Sequence, residues 1–242
     1  MTRTLGGTST QQTALRVGVF SDLHADGRAL DVLWAALDRE AVDGAWCLGD
    51  FCVGGPDPVR CFDEVASRCE VVLAGNHERV VVQRTFESLR GRAADLVRLA
   101  HAQLGHDRRT VLARLPSAGV ARGVLAVHGR PDAPTYGFLQ TAEHAAMASA
   151  RADGRLVLYG HTHQPAWWEP TAEGRVVRRP IATGVAVDVA AGSLLNPGAA
   201  CDPAGVRWLA LELRDAGATL FAATFHIEPP PAPRDATSGS ER

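Results

Sequence analysis

An α/β fold is predicted for this chain, with a mostly parallel sheet laid down first and a second sheet of antiparallel character added later. Three observations predict it. Apolar runs alternate with helical stretches through the first half of the sequence, the pattern of parallel strands joined by crossover helices. From Val176 to Phe225 the chain changes to short strand-like runs separated by Gly and Pro, as hairpin-linked strands require. The length of 242 residues, 46% of them hydrophobic and 21% charged, suffices for one large domain with a substantial core.

The elements follow in order. A polar leader over residues 1–14 precedes the buried-strand run Leu15-Arg16-Val17-Gly18-Val19-Phe20. Leu30, Leu33, Trp34 and Leu37 then repeat at the spacing of one helical face. Ala45-Trp46-Cys47-Leu48 and the run from Glu70 to Ala74 read as the next two strands. Residues from Val80 to about Leu115 read as helical, with Leu89, Leu96, Leu99 and Leu104 among charged positions, and Pro116 closes the segment. Val124-Leu125-Ala126-Val127 is a strand, a helix covers roughly Gln140 to Ala152, and Leu156-Val157-Leu158-Tyr159 is a further strand. The domain is expected over 15–227, and the Pro/Ser-rich tail 228–242 buries too little apolar surface to order itself.

Composition bounds the function. The formal net charge of -2 creates no global field for nucleic acid, so anionic substrates must be attracted locally. All 25 cationic side chains are Arg, which excludes a lysine nucleophile or Schiff base. The five cysteines form no CxxC pair, and neither a disulfide framework nor Cys-ligated zinc is expected. No apolar signal core opens the sequence and no run approaches bilayer length. A cytoplasmic protein without membrane contact is the expectation, with homo-oligomerisation left open.

The chemistry is carried by five short segments, each following an apolar run: Asp22-Leu23-His24, Gly49-Asp50, Gly75-Asn76-His77-Glu78, His128-Gly129 and Gly160-His161-Thr162-His163. Each supplies carboxylate, imidazole or amide groups. Most place glycine beside the polar residue, as a strand-end turn needs where backbone passes close to a ligand. A dinuclear metal site needs one bridging carboxylate, several neutral imidazoles and open positions. Asp50, at a glycine turn, is the best bridge. Asp22 and His24 alternate along what reads as an extended segment, so their side chains leave on one side; His161 and His163 repeat that pattern. Asp-x-His or His-x-His alone is weak, but five of nine histidines fall at the ends of these few runs.

In residue type and order, DLH, GD, GNHE, HG and GHTH resemble the calcineurin-like metallophosphoesterase superfamily, over about Leu15 to Phe225. The resemblance implies a four-layer α/β/β/α sandwich of two mixed sheets, with the motifs on loops at strand ends. It also implies two divalent metal ions, Mn first and Fe, Zn, Ni or Co as alternatives. One would take Asp22, His24, Asp50 and His163; the other would take Asp50, Asn76, His128 and His161. His77 would be the substrate-facing, catalytic histidine. Gly54-Gly55-Pro56-Asp57-Pro58, the segment from His128 to Leu139, and Leu195-Asn196-Pro197-Gly198 resemble the smaller bacterial and archaeal phosphoesterase branch. Eukaryotic-type Ser/Thr phosphatases instead carry Asp-Arg-Gly after the bridging Asp and an Arg before Gly-Asn-His-Glu. Val53, Gly54 and Ala74 occupy those places here, although Glu78 matches that branch.

The reaction implied is direct hydrolysis. Two cations would lower the pKa of a bridging water to supply hydroxide, while His77 stabilises the transition state or protonates the leaving alkoxide. The substrate is expected to be a phosphate-ester small molecule or nucleotide, with a phosphodiester preferred. The alternatives are a Ser/Thr protein phosphatase, a phosphomonoesterase, or a protein-binding module that keeps the fold without catalysis. Several residues have two readings. Asn76 could bind metal or cap a helix beginning near Glu78. Arg130 could grip a phosphate oxygen or lie solvated. Tyr136 and Phe138 could line the mouth or pack their loop. Trp167-Trp168 could stack a nucleobase or divide between the interior and a neighbouring element. His101, His106, His144 and His226 are expected to be surface or core residues, and Cys52 is not expected to be a ligand.

Overall fold

The computed structural model describes residues 14–84, 90–213 and 221–231. Most of the expected leader and tail, together with Leu89, lies outside them. Strand β1 (Leu15–Phe20) leads into helix α1 (Gly27–Arg39), capped by Asp26, whose carboxylate accepts the Arg28 and Ala29 amides. The apolar face read from the sequence, Leu30, Leu33, Trp34 and Leu37, is buried. Then come β2 (Gly44–Cys47), α2 (Pro58–Arg68), β3 (Cys69–Val72) and α3 (Asn76–Gln83). Helix α4 (Arg92–Arg114) is interrupted at Gly105, which has φ 66°. The expected single helical stretch is therefore divided: α3 ends at Gln83, α4 begins at Arg92, and α4 itself bends at Gly105.

The remaining elements are β4 (Ala118–Ala121), β5 (Val124–Val127), α5 (Ala142–Arg151), β6 (Val157–Leu158), β7 (Ala166–Pro170), β8 (Val176–Arg178), β9 (Ala186–Val189), β10 (Leu194–Asn196), β11 (Val206–Leu213) and β12 (Phe221–Glu228). They pair into two six-stranded sheets, ordered β3-β2-β1-β11-β12-β9 and β4-β5-β6-β10-β7-β8. Each sheet is mixed. In the first, β1, β2 and β3 run parallel while β11, β12 and β9 add antiparallel. In the second, β5, β6 and β10 run parallel while β4, β7 and β8 add antiparallel.

This corrects the expectation of an early parallel sheet followed by a later antiparallel one. The C-terminal strands divide, β9, β11 and β12 completing the first sheet and β10 entering the second. Strand periodicity reports which face is buried and not which edge a strand joins.

Three apolar layers hold the sandwich together. Alternate residues of the first sheet, Phe20, Cys47, Trp208 and Ala210, meet Leu30, Leu33 and Cys61 of α1 and α2. Their sequence neighbours Val19, Trp46, Leu209 and Leu211 point the other way, onto Ala126, Leu158 and Leu195 of the second sheet. Val157, Tyr159, Trp168 and Leu194 cover Ala145 and Ala148 of α5. Period-two alternation on both sheets thus produces the α/β/β/α order. The five motifs follow β1, β2, β3, β5 and β6, all at carboxyl ends of parallel strands. Parallel strands end on a common edge, where open α/β sheets place ligands.

Candidate metal centre

The chain leaves β1 by folding back on the end of β2. The amide of Asp22 donates to the Gly49 carbonyl (3.0 Å) and that of His24 to the Asp50 carbonyl (2.8 Å). Asp22 and His24 have φ 56° and 50°, and Asp50, His161 and His163 have φ 53°, 64° and 59°. The extended segments expected at Asp-x-His and His-x-His are therefore left-handed turns. Side chains converge because the backbone coils under them, at about 1–3 kcal/mol per residue, a strain characteristic of functional sites. The turns are tied to one another: the His161 amide donates to Asp22 Oδ2 at 3.0 Å.

Glycine is needed where these turns approach one another. A Cβ on Gly75 would lie 2.1 Å from Asp50 Oδ1 and 2.7 Å from His128 Cε1. On Gly160 it would lie 2.0 Å from Ser21 Oγ.

The seven expected metal ligands and His77 come together. Asp22, His24 and His163 form one group, His24, Asp50 and His77 a second, and Asp50, His128 and His161 a third. Within each, the donor atoms lie within 4.8 Å of one another. His24 Nδ1 lies 3.1 Å from the Val53 carbonyl and His128 Nδ1 2.9 Å from the Leu48 carbonyl. A carbonyl can only accept, so both rings carry a proton on Nδ1 and turn Nε2 inward. His24 Nε2 then faces His163 Nε2 at 3.0 Å. His128 Nε2 faces Asn76 Oδ1 at 3.1 Å and Asp50 Oδ2 at 3.4 Å.

His161 Nε2 is buried without a hydrogen-bond partner, and Asp22 Oδ1, also without a hydrogen bond, has only His163 Nε2 facing it at 3.4 Å among the described residues. Converging lone pairs and orphaned acceptors are costly unless a cation lies among them. The residues present therefore fit a divalent metal ion held by nitrogen and oxygen donors. Gly75 caps α3, so Asn76 is its first residue and makes no side-chain cap. Asn76 is thus not the cap residue, and its carboxamide oxygen faces His128 instead. His77 touches Asp50 through its amide, which donates to Oδ1 at 2.9 Å. Its ring stands edge-on to that of His24, centroids 4.6 Å apart.

Electrostatics follow this packing. Burial opposes ionisation of Asp50, but His128, then His77 and His24, outweigh it and hold the carboxyl below the usual range. Burial likewise opposes the charged form of His128, yet Asp50 raises its pKa to about 9. Burial lowers His24 and His161, whereas the Asp22 carboxylate, with Oδ1 3.4 Å from Nε2, raises His163.

Two residues with supporting roles were not singled out as site residues by the sequence. The buried carboxylate of Glu78 accepts four amides: Oε2 from Asp50 and Gly75, both 2.9 Å, and Oε1 from Phe51 at 3.0 Å and Cys52 at 3.2 Å. Its position three residues beyond the cap of α3 was the available signal. Asn196 Nδ2 donates to the Gly160 carbonyl at 2.9 Å and Thr162 Oγ1 at 3.0 Å, pinning the His-Thr-His turn.

Arg130 is engaged elsewhere in its loop. Its guanidinium pairs twice with Asp132, at 2.5 and 2.9 Å, so gripping phosphate would require that carboxylate to yield it. Phe138 lies 4.2 Å, centroid to centroid, from His161 at the rim, and Tyr136 and Phe138 are exposed. Trp168 packs under α5, with Nε1 donating to the Tyr159 hydroxyl at 3.1 Å, while Trp167 packs between the sheets. The two indoles are thus structural. His226 stacks on Trp208 with centroids 4.0 Å apart, and His101 Nδ1 bonds the Val81 carbonyl. Cys52 is buried, with Sγ 3.6 Å from Glu78 Oε1.

Among solved structures, a metallophosphoesterase from Sphaerobacter thermophilus is 29% identical, with TM-score 0.75 over 89% of this chain and 88% of that one. A hypothetical protein from Pyrococcus horikoshii OT3, 16% identical, shares the fold with TM-score 0.64 over 90% of this chain and 88% of that one. A search of curated protein sequences returned no match. The model of the calcineurin-like phosphoesterase superfamily domain matches residues 15–213. With that match spanning most of its length and the family's motifs gathered at one strand edge, the chain belongs to the calcineurin-like phosphoesterase superfamily.

Proposed function

We propose that this protein is a phosphodiesterase that uses two divalent ions held by Asp22, His24, Asp50, Asn76, His128, His161 and His163. The observation that carries the reading is the overlap of the ligand groups: Asp50 belongs to the group containing His128 and His161, and also to that containing His24 and His77. One carboxylate shared between two sets of imidazoles is the arrangement that lets two cations sit close together. When bound, such ions supply a nucleophile at neutral pH and neutralise charge accumulating on the phosphoryl oxygens.

The chain's own residues divide the remaining work. The Asp50 carboxylate is kept ionised by its imidazole neighbours, so it is available as a bridge. The Val53 and Leu48 carbonyls orient His24 and His128. His77, anchored through its amide to Asp50, is placed to give a proton to the departing alkoxide oxygen, a role suited to imidazole near neutral pH.

A diester is favoured over a monoester or phosphoprotein by charge. A diester carries one negative charge and a monoester close to two at neutral pH. The places where a protein phosphatase carries clamping arginines hold Gly54 and Ala74, and Arg130 is neutralised by Asp132. All five cysteines are free thiols, in keeping with work in a reducing cytoplasm. None of the helices in the described residues is long and apolar enough to cross a membrane.

The test is hydrolysis by the metal-loaded protein of a simple diester, a simple monoester, cyclic nucleotides, dinucleoside polyphosphates and a phosphopeptide. Faster turnover of diesters supports the proposal. Preference for the monoester or phosphopeptide contradicts it, and no hydrolysis with any of Mn, Fe, Zn, Ni or Co favours a binding module.

A further inference from the structure

A cavity of about 320 Å³ opens directly beside His77. Its polar end is formed by His24, Asn76 and His77, three residues of the metal centre, and beyond Gly54 its walls are Val80, Ala93, Leu96 and Val97 from α3 and α4. None of the described lining residues is an Asp, Glu, Arg or Lys. The cavity is therefore continuous with the site at one end and apolar at the other, and its size suits a group of about one or two rings.

We infer that this cavity receives the leaving alcohol of the substrate and selects esters whose leaving group is uncharged and largely apolar. The inference rests on the phosphoesterase reading given above and deepens it. His77 supports the assignment because it serves both places: it lies beside Asp50 and His24, and it lines the cavity. A leaving oxygen within reach of that imidazole has its carbon substituent directed along the Val80, Leu96 and Val97 wall. The P–O bond to that oxygen breaks, its electron pair stays on the oxygen, and the proton comes from His77. Water supplies the oxygen that remains on phosphorus. A sulfonate, polyphosphate or guanidinium on the leaving group would lose hydration in the cavity without finding a countercharge. An alkyl or aryl group would be drawn out of water by the same walls.

The test compares methyl phosphodiesters of two phenols matched in pKa, one bearing an alkyl chain and the other a sulfonate, on the metal-loaded full-length protein. Burial of an alkyl chain of this size predicts a KM lower by about tenfold or more for the alkyl ester. The second arm uses Ala93→Arg, at an exposed position of α4, where a cation would reach the cavity without disturbing the core. This variant should shift the ratio of kcat/KM toward the sulfonated ester. Equal KM values for the two esters, or a ratio unmoved by Ala93→Arg, overturn the assignment of the cavity while hydrolysis itself leaves the phosphoesterase reading standing. Hydrolysis of neither ester with any supplied metal overturns that reading, and the inference falls with it.

Discussion

Glu78 Oε2 accepts the amide hydrogen of Asp50 at 2.9 Å, and the same oxygen accepts that of Gly75 at 2.9 Å. One buried carboxylate thereby locks the turn after β2 to the start of α3, fixing the distance between Asp50 and the pair Asn76 and His77. Burial and the nearby Asp50 push the Glu78 pKa up, while the surrounding backbone amides pull it down. Glu78 holds the backbone at Asp50 and Gly75, and its oxygens are occupied by amides.

Replacing Glu78 by Gln would bring an NH2 group against amides that need an acceptor. A buried, charge-assisted network broken in this way costs about 3 kcal/mol, or roughly 10 °C in Tm for a chain of this size. Calorimetry and metal analysis of Glu78→Gln should both show losses. A variant with unchanged Tm and metal content would remove Glu78 from this role.

His77→Ala separates chemistry from binding. Loss of a general acid costs about 10²–10⁴-fold in kcat, whereas the seven other side chains remain to hold metal. Turnover should collapse while metal content, measured by elemental analysis, changes little. A parallel fall in both would make His77 a ligand, an alternative its grouping with His24 and Asp50 makes concrete.

Gly75→Ala tests the close approach of the turns. Its Cβ would collide with Asp50 Oδ1 and crowd His128, and neither group can retreat from a packed strand edge. Metal binding should be lost along with stability. Gly119→Ala, in β4 with nothing within 4 Å of the added carbon, should be silent in both assays.

The metal-free protein should show a pH-dependent stability traceable to His128. Its pKa rises from 6.5 to about 9 on folding through the Asp50 pairing, which outweighs burial. A raised folded-state pKa means the contribution is fully present below pH 6.5 and is lost as pH rises through about 9. Chemical denaturation of wild type and His128→Asn across pH 6 to 10 should converge toward the alkaline end, since the wild type alone carries this loss. Metal, which requires the neutral ring, should bind with release of that proton below pH 9.

How far the sequence disclosed this arrangement depends on which interaction is asked about. Apolar runs ending in Asp22, Asp50, Asn76, His128 and His161 announced strand ends bearing a cluster of polar side chains, because burial and turn chemistry are local. The division of β9, β10, β11 and β12 between two sheets was not legible, since edge choice is settled by backbone pairing between distant segments. The left-handed turns at Asp22, His24, His161 and His163 were read as extended for a related reason: alternation and tight coiling place i and i+2 on one side equally well. Glu78 and Asn196 bond to backbone, and Arg130 is claimed by Asp132; these partnerships leave no periodic trace.

The proposed chemistry depends on two metal ions sharing Asp50. Elemental analysis of the protein after loading with Mn and removal of excess should give two ions per chain, and Asp50→Asn should lower the occupancy of both. One ion per chain in the wild type, or two retained by Asp50→Asn, would contradict it.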